Sequence, residues 1–357
     1  MGKLILEDGS SFEGKSFGAK KSTAGEVVFS TGMVGYPESL TDPSYLGQIL
    51  ILTYPLIGNY GVPEKSYWES DSIQVSGLIV SNYIDTPSHI QSKQTLSAWL
   101  KSEKIPALEI TDTRFLTQKI RVKGTMLGKI IFENDIPFYN PDKENLVAKV
   151  STKKILDLKP SFKNKAKTIV LIDCGTKENI IRCLHKRNIE VIVVPWDFDP
   201  FSLGAKLFHP RGGNLDAIVI SNGPGDPKKA DKTIEIIKKV LQRRIPILGV
   251  CLGNQLLALA AGGDTQKLKF GHRGQNQPCI LEGSSRCYIT TQNHGFEVSK
   301  IPKGFKPWFT NANDGSNEGI IHNSLPFMSV QFHPEANPGP VDTEWIFDYF
   351  LDRVMSS

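Results

Sequence analysis

One stretch constrains this chain more than any other: Ile245-Pro-Ile-Leu-Gly-Val-Cys-Leu-Gly-Asn-Gln-Leu-Leu-Ala-Leu-Ala-Ala-Gly-Gly263. It carries no charge. Its first half, Ile245 to Val250, reads as a short buried strand, and its second half, from Asn254, as a Leu/Ala-rich helix. Between them, Gly249-Val-Cys-Leu-Gly253 has the pattern glycine, any residue, nucleophile, any residue, glycine, with Cys251 in the nucleophile place. A strand that turns sharply into a helix leaves no room for side chains at the two glycines. The turn puts the thiol at a helix N-terminus, where the dipole favours a thiolate. A membrane span is the competing reading of so apolar a run. Pro246, the paired glycines and Asn254-Gln255 interrupt it, and no charged anchors frame it. A buried structural cysteine is the other, since unpaired cysteine is often core.

With 357 residues, the chain predicts two domains at roughly 150 residues each. The net charge of +5 is mild. The basic cluster Lys163-Asn-Lys-Ala-Lys167 falls in linker-like sequence. The lysines between Lys228 and Arg244 alternate with Ile234, Ile236, Ile237, Val240 and Leu241, as on the wet face of an amphipathic helix. No nucleic-acid motif accompanies them, so no nucleic-acid partner is expected. The five cysteines are odd in number and contain no C-x-x-C, which fits reduced thiols and a cytoplasmic protein better than a disulfide or zinc framework. The start lacks the apolar core of a signal peptide. Leu6 stands where myristoylation would want Ser or Thr.

Along the first third, Leu4-Ile-Leu6, Glu7-Asp-Gly9 and Ser11-Phe-Glu-Gly14 predict a hairpin. Glu26 to Phe29 and Gln48 to Thr53 read as buried strands. Ser30 to Tyr45 reads as a long irregular loop with apolar residues, hence an ordered functional loop. Helices are expected over Lys93–Lys101 and Asp112–Val122, with Asp112 as N-cap. The division is set at 1–150 for a β-rich mixed α/β first domain, 151–166 for a linker, and 167–357 for the second domain. From Lys167 strands alternate with helices, which predicts a doubly wound, mostly parallel α/β sheet. Its strands end at Asp173-Cys-Gly-Thr, at Ser221-Asn-Gly-Pro-Gly-Asp and at Cys251, where ligands bind in such sheets. After Gly263 the strands read as hairpins, and a last helix over Thr343–Val354 closes the domain.

A nucleophilic cysteine needs a base, and the base needs an orienting partner. His333 follows the strand Ser329 to Phe332 in His333-Pro-Glu335, and Glu335 can hold its ring in one tautomer. His294, in Gln292-Asn-His-Gly-Phe296, is the alternative base. Gly223-Pro-Gly225 and the N–H of Leu252 are the candidate oxyanion donors, although the former could be an ordinary turn.

Gly249-Val-Cys-Leu-Gly-Asn-Gln255 with His333-Pro-Glu335 resembles the class I (triad) glutamine amidotransferases, which hydrolyse glutamine through a cysteinyl acyl-enzyme. The segments Leu6–Ser10, Gly25–Phe29, Thr31–Glu38, Thr41–Tyr45, Thr53–Gly61, Arg273–Pro278, Asn293–Phe296 and Asn311–Ile320 extend the match. They resemble the small, glutaminase subunit of carbamoyl-phosphate synthetase over essentially the whole chain. The resemblance is closer to the animal branch, in which this unit opens a multifunctional pyrimidine-pathway protein. It implies Cys251 as nucleophile, His333 as proton carrier, Glu335 as its orienter, and Gly225 and Leu252 at the oxyanion. It also implies glutamine contacts from Ser44, Gly223, Gly225, Leu252, Gln255, Asn293, Gly295 and Phe296. It implies no metal or cofactor on this chain: ATP, magnesium and bicarbonate belong to the large synthetase partner that receives the ammonia. One residue departs, since the family elbow usually reads Cys-Leu-Gly-His-Gln and position 254 here is Asn. Two other readings are a catalytically weak module that docks on a synthetase, and a stand-alone hydrolase of the same fold.

Overall fold

The structure, a computed structural model, describes residues 1–160, 167–201 and 216–355. Two compact units emerge. One comprises residues 1–146, 269–275 and 337–339, and the other 147–268, 276–336 and 340–357.

The first unit is built from β1 (Gly2–Leu6), β2 (Ser11–Ser16), β3 (Thr23–Ser30), α1 (Tyr36–Thr41), β4 (Gln48–Leu52), β5 (Gly77–Val80), α2 (Leu96–Ser102), β6 (Ala107–Glu109), α3 (Thr113–Lys123) and β7 (Met126–Ile131). The expected hairpin is β1 with β2, in antiparallel register Leu4↔Phe12. β1 also pairs with β7, and the sheet closes as a barrel in the order β1-β2-β6-β5-β4-β3-β7. Leu4, Leu6, Val27, Ile49, Ile51, Ile79 and Leu108 fill one apolar cluster, and Leu50, Leu78, Leu96 and Trp99 belong to a second. Asp112 caps α3, its carboxylate accepting from Phe115 N at 2.8 Å.

The stretch 30–45 is not all loop: it holds α1 and the 3-10 turn Pro43–Tyr45. Pro37 lies in the first turn of α1, where its missing N–H costs no hydrogen bond, and Tyr36 and Leu40 are buried.

The second unit continues with α4 (Val147–Val150), β8 (Leu156–Leu158), β9 (Lys167–Asp173), α5 (Glu178–Lys186), β10 (Ile189–Pro195), β11 (Ala217–Ile220), α6 (Asp231–Gln242), β12 (Ile247–Val250), α7 (Leu252–Ala260), β13 (Asp264–Leu281), β14 (Cys287–Lys300), β15 (Phe305–Asn311), β16 (Asn317–His322), β17 (Phe327–Val330) and α8 (Trp345–Met355). These strands form a ten-stranded sheet, β14-β13-β15-β16-β17-β12-β11-β9-β10-β8. The central run from β17 to β10 is parallel. The flanks are antiparallel, because the strands after Gly263 return as hairpins and β8 adds to the far edge. The expected parallel sheet is therefore the centre of a mixed one. Apolar side chains cover both of its faces.

Part of the segment expected to be a linker is strand. Leu156–Leu158 pairs with Val191–Val193 and satisfies an otherwise open sheet edge. Residues 161–166, including most of the basic cluster at 163–167, lie outside the described residues. No described helix is long and apolar enough to cross a membrane, and the apolar run at 245–263 divides into β12 and α7 as expected.

Candidate active site

The parallel centre of the sheet sets neighbouring strand ends side by side. In the order β17, β12, β11, β9, the residues that follow are Gln331–Glu335, Cys251, Ser221–Gly225 and Cys174–Lys177. This is where a doubly wound sheet binds ligands.

Cys251 stands between β12 and α7 with φ 53° and ψ −102°. A non-glycine residue in such a conformation costs about 1–3 kcal/mol and persists only where the surroundings enforce it. The enforcing contacts are backbone ones. Cys251 N donates to Val330 O at 2.8 Å. A Cβ on Gly253 would collide with the carbonyl oxygen of Ile220, and one on Gly249 would lie 2.5 Å from Gly253 O. The glycines of the elbow are thus required by chain crowding, as the sequence pattern suggested. Leu252 opens α7, and its N–H precedes the first donor of the helix, Asn254 N, which donates to Cys251 O at 3.0 Å. The Gly223 loop packs against it: a Cβ on Gly223 would lie 2.9 Å from Leu252 Cδ2, and Gly225 has φ 85°.

The sulfur is buried, with 2% of the residue exposed. It lies 3.7 Å from Asn293 O, which can accept the S–H, and 3.7 Å from Gln331 Nε2. Gln255, on the first turn of α7, donates to Phe296 O at 2.8 Å. That nitrogen also donates to Gln331 Oε1 at 3.2 Å, so it is committed within the protein. Asn293 and Phe296 of β14 therefore lie beside Cys251 and Gln255, with Gly295 between them in sequence. Ser44 belongs to the first unit, in the turn Pro43–Tyr45, where its N–H donates to Asp42 Oδ1 at 2.9 Å.

His333 and Glu335 form a buried pair, Nδ1 to Oε1 2.6 Å. His333 N donates to Thr291 O at 2.9 Å, which pins the residue to β14. The ring's Nε2 makes no hydrogen bond among the described residues, so it is the position left to receive a proton. Burial works against the imidazolium, but the Glu335 carboxylate and the Cys251 sulfur outweigh it, and the His333 pKa is raised. Burial likewise works against the Glu335 carboxylate, yet His333 and Lys177 hold its pKa down.

His294, the alternative base, is already engaged. Its Nδ1 faces Phe296 O at 2.9 Å and its Nε2 faces Gln292 Oε1 at 3.2 Å, with Glu318 3.9 Å away. Two acceptor oxygens leave that ring no free nitrogen with which to act as a base.

Lys177 is a residue that the sequence reading passed over. It is buried, with Nζ 3.4 Å from Glu335 Oε1 and donating to Ala336 O. The turn that presents it is built by Asp173, whose Oδ1 accepts from Gly175 N, Thr176 N and Thr176 Oγ1 at 2.8–3.0 Å. Lys177 N donates to Asn222 Oδ1 at 3.0 Å, tying this turn to the Gly223 loop. Asn179 adds a hydrogen bond to Glu335 O. The signal available was position: a lysine just past a parallel strand end, ahead of a helix. In sequence it resembles any solvated lysine.

A buried thiol, a buried imidazole with one open nitrogen, a carboxylate behind it, and free N–H groups at a helix start together suit acyl transfer. Comparison with known proteins agrees. The family model described as glutamine amidotransferase class-I matches residues 170–353. That of the carbamoyl-phosphate synthase small chain, CPSase domain, matches residues 4–130. The multifunctional protein pyr1-3 of Dictyostelium discoideum is 49% identical over 99% of this chain and 17% of its own length. The multifunctional protein CAD of Squalus acanthias is 50% identical over 99% and 16%. The mitochondrial carbamoyl-phosphate synthase [ammonia] of Mus musculus is 46% identical over 98% and 23%. The chain thus spans less than a quarter of each of these relatives.

Proposed function

This chain belongs to the class-I glutamine amidotransferase family, and from that membership we propose that it hydrolyses L-glutamine to glutamate and ammonia for carbamoyl-phosphate synthesis. Cys251 loses its proton to His333 Nε2 and attacks the side-chain amide carbon. The N–H groups of Leu252 and Gly225 receive the developing oxyanion. His333 returns the proton to the departing nitrogen, ammonia leaves, and a glutamyl thioester remains on Cys251. Water, deprotonated by the same imidazole, hydrolyses that thioester and regenerates the thiol. Glu335 fixes the ring, and Lys177 fixes Glu335. Gly223, Gln255, Asn293, Gly295 and Phe296 complete the set we assign to glutamine on the second unit.

The observation that carries the reading is the strained, buried Cys251 beside the His333–Glu335 pair. The match of residues 4–130 to a carbamoyl-phosphate synthase model directs the ammonia to that reaction. Ammonia must reach its acceptor unprotonated, so we infer direct transfer to a synthetase region or subunit. That partner would hold the ATP, magnesium and bicarbonate chemistry. Cytoplasmic pyrimidine or arginine synthesis is the setting we propose, in keeping with five free cysteines. The test is ammonia release from glutamine by the full chain, then glutamine-dependent carbamoyl phosphate formation once a synthetase, ATP and bicarbonate are added. Hydrolysis should be present and should vanish in Cys251→Ser. A chain that stimulates a synthetase but never turns over glutamine, with or without it, would be a docking module instead.

A further inference from the structure

The side chains around the nucleophile form an arrangement that the triad does not use. Gln331 follows β17 and turns a carboxamide into the interior, with no exposure. Its neighbours decide which way that carboxamide points. Ser329 Oγ donates to Asn254 Oδ1 at 2.8 Å. Asn254 Nδ2 therefore faces outward from that contact and donates to Gln331 Oε1 at 3.1 Å. Gln255 Nε2 donates to the same oxygen at 3.2 Å. An oxygen that accepts two N–H groups leaves the nitrogen of Gln331 aimed at Cys251 Sγ, 3.7 Å away. Ser329, Asn254 and Gln331 are all fully buried, so water cannot replace any link.

The sulfur has opposed neighbours. Asn293 O accepts an S–H and favours the thiol. The Gln331 N–H is a donor to sulfur and gains strength as negative charge develops there. From this geometry we infer that Gln331 stabilises the Cys251 thiolate through its amide N–H, and that Ser329 and Asn254 are positioning residues that keep the amide in that orientation. No bond breaks in Gln331 itself: the thiol proton goes to His333, and the amide keeps its own. Each dipole in the chain points the same way, so the links reinforce one another. The charged or titratable groups around the thiol are His333 after β17, Glu335 behind it, and Lys177 beyond Glu335. Glu335 and Lys177 act through the imidazole, whereas the Ser329–Asn254–Gln331 chain reaches the sulfur directly. Residue 254, the one departure from the family elbow, then has a defined task.

This inference rests on Cys251 being the nucleophile, and its test separates the two claims. Alkylation of Cys251 by iodoacetamide is followed against pH on the full chain, with the labelled peptide identified by mass so that exposed Cys287 does not contribute. Gln331→Met keeps the volume and removes the donor. It should move the midpoint of the alkylation profile up by about one pH unit and lower glutamine turnover roughly tenfold, the scale of a hydrogen bond to a charged group. Asn254→Leu, which leaves Gln331 present but no longer held, should move the midpoint in the same direction by less. Loss of packing alone would lower the rate at every pH and leave the midpoint where it was. If either variant does not fold, Ser329→Ala, which deletes one hydroxyl, is read in the same way. Midpoints equal to wild type in folded variants overturn the inference. If alkylated Cys251 still hydrolysed glutamine, the nucleophile assignment would fail instead.

Discussion

Cys251, His333 and Glu335 are the side chains to which we assign the chemistry, and their surroundings decide how each responds to change. Lys177 is buried against a carboxylate that is itself buried. Lys177→Met should destabilise the fold by about 3 kcal/mol, since removing one partner of a buried ion pair strands the other charge. Thermal unfolding reads this, and turnover should fall with it because Glu335 loses an anchor. His333 gives a prediction in pH. Its folded pKa is raised, so it contributes stability that is fully present below its ordinary value of about 6.5 and is lost as pH rises through the folded value. Unfolding free energy measured from pH 6 upward should therefore decline more steeply in the wild type than in His333→Gln. Parallel curves would show that the ring is not charged in the fold. At this scale short sequence patterns singled out Cys251, His333 and Glu335, since they bind them to a turn or to one another, and the structure sets them at neighbouring strand ends. The sequence did not disclose Lys177 or Gln331. A lysine after a strand looks solvated, and a glutamine in Ser329-Val-Gln-Phe332 looks like an outward residue of an alternating strand, although it lies inside.

The elements place those side chains, and the strand-to-helix turn is the most demanding of them. A methyl group on Gly253 would meet the carbonyl of Ile220 on β11, which the sheet cannot move cheaply. Gly253→Ala should cost about 2–3 kcal/mol, as overpacking in a dense interior does. It should also reduce Cys251 alkylation, because the elbow would have to open. A soluble, fully active Gly253→Ala protein would mean that the turn is looser than described. Helix α3 was legible from its Asp112 cap, α5 and α6 from a period near 3.6 residues, and the alternation of strands with them. The helix at Tyr36–Thr41 was not. Gly35, Pro37 and Pro43 read as breakers, yet Pro37 sits at the one helical turn that tolerates it. Strand β8 hid in a polar, lysine-rich segment, because an edge strand of three residues leaves almost no periodicity to read.

On the scale of the molecule, the first unit is not continuous in sequence. Residues 269–275 return to it: Thr125 N donates to Lys269 O at 2.8 Å, Gln275 Nε2 to Val34 O at 2.6 Å, and Phe270 stacks near Phe29 at 6.1 Å. A fragment of residues 1–146 should therefore melt at lower temperature or with less cooperativity than the corresponding transition of the full chain, by calorimetry. An unchanged transition would show that the returning segment adds nothing. Composition and linker-like sequence suggested a boundary near residue 150, but neither can reveal a later segment that folds back. Closure of the barrel was equally hidden, because β1 and β7 are paired across most of the first unit's sequence. The parallel centre of the second unit was legible from its alternating elements, and with it the row of strand ends where Cys251 stands. The central claim concerns that row, and trapping the intermediate tests it most directly. The full chain is mixed with glutamine, quenched in acid and digested, and the Cys251 peptide is weighed while ammonia is assayed. Expected is a glutamyl thioester on Cys251, with ammonia release that falls by roughly 10⁴-fold or more in Cys251→Ser. Wild-type ammonia release from Cys251→Ser, with no adduct on the wild-type peptide, overturns it.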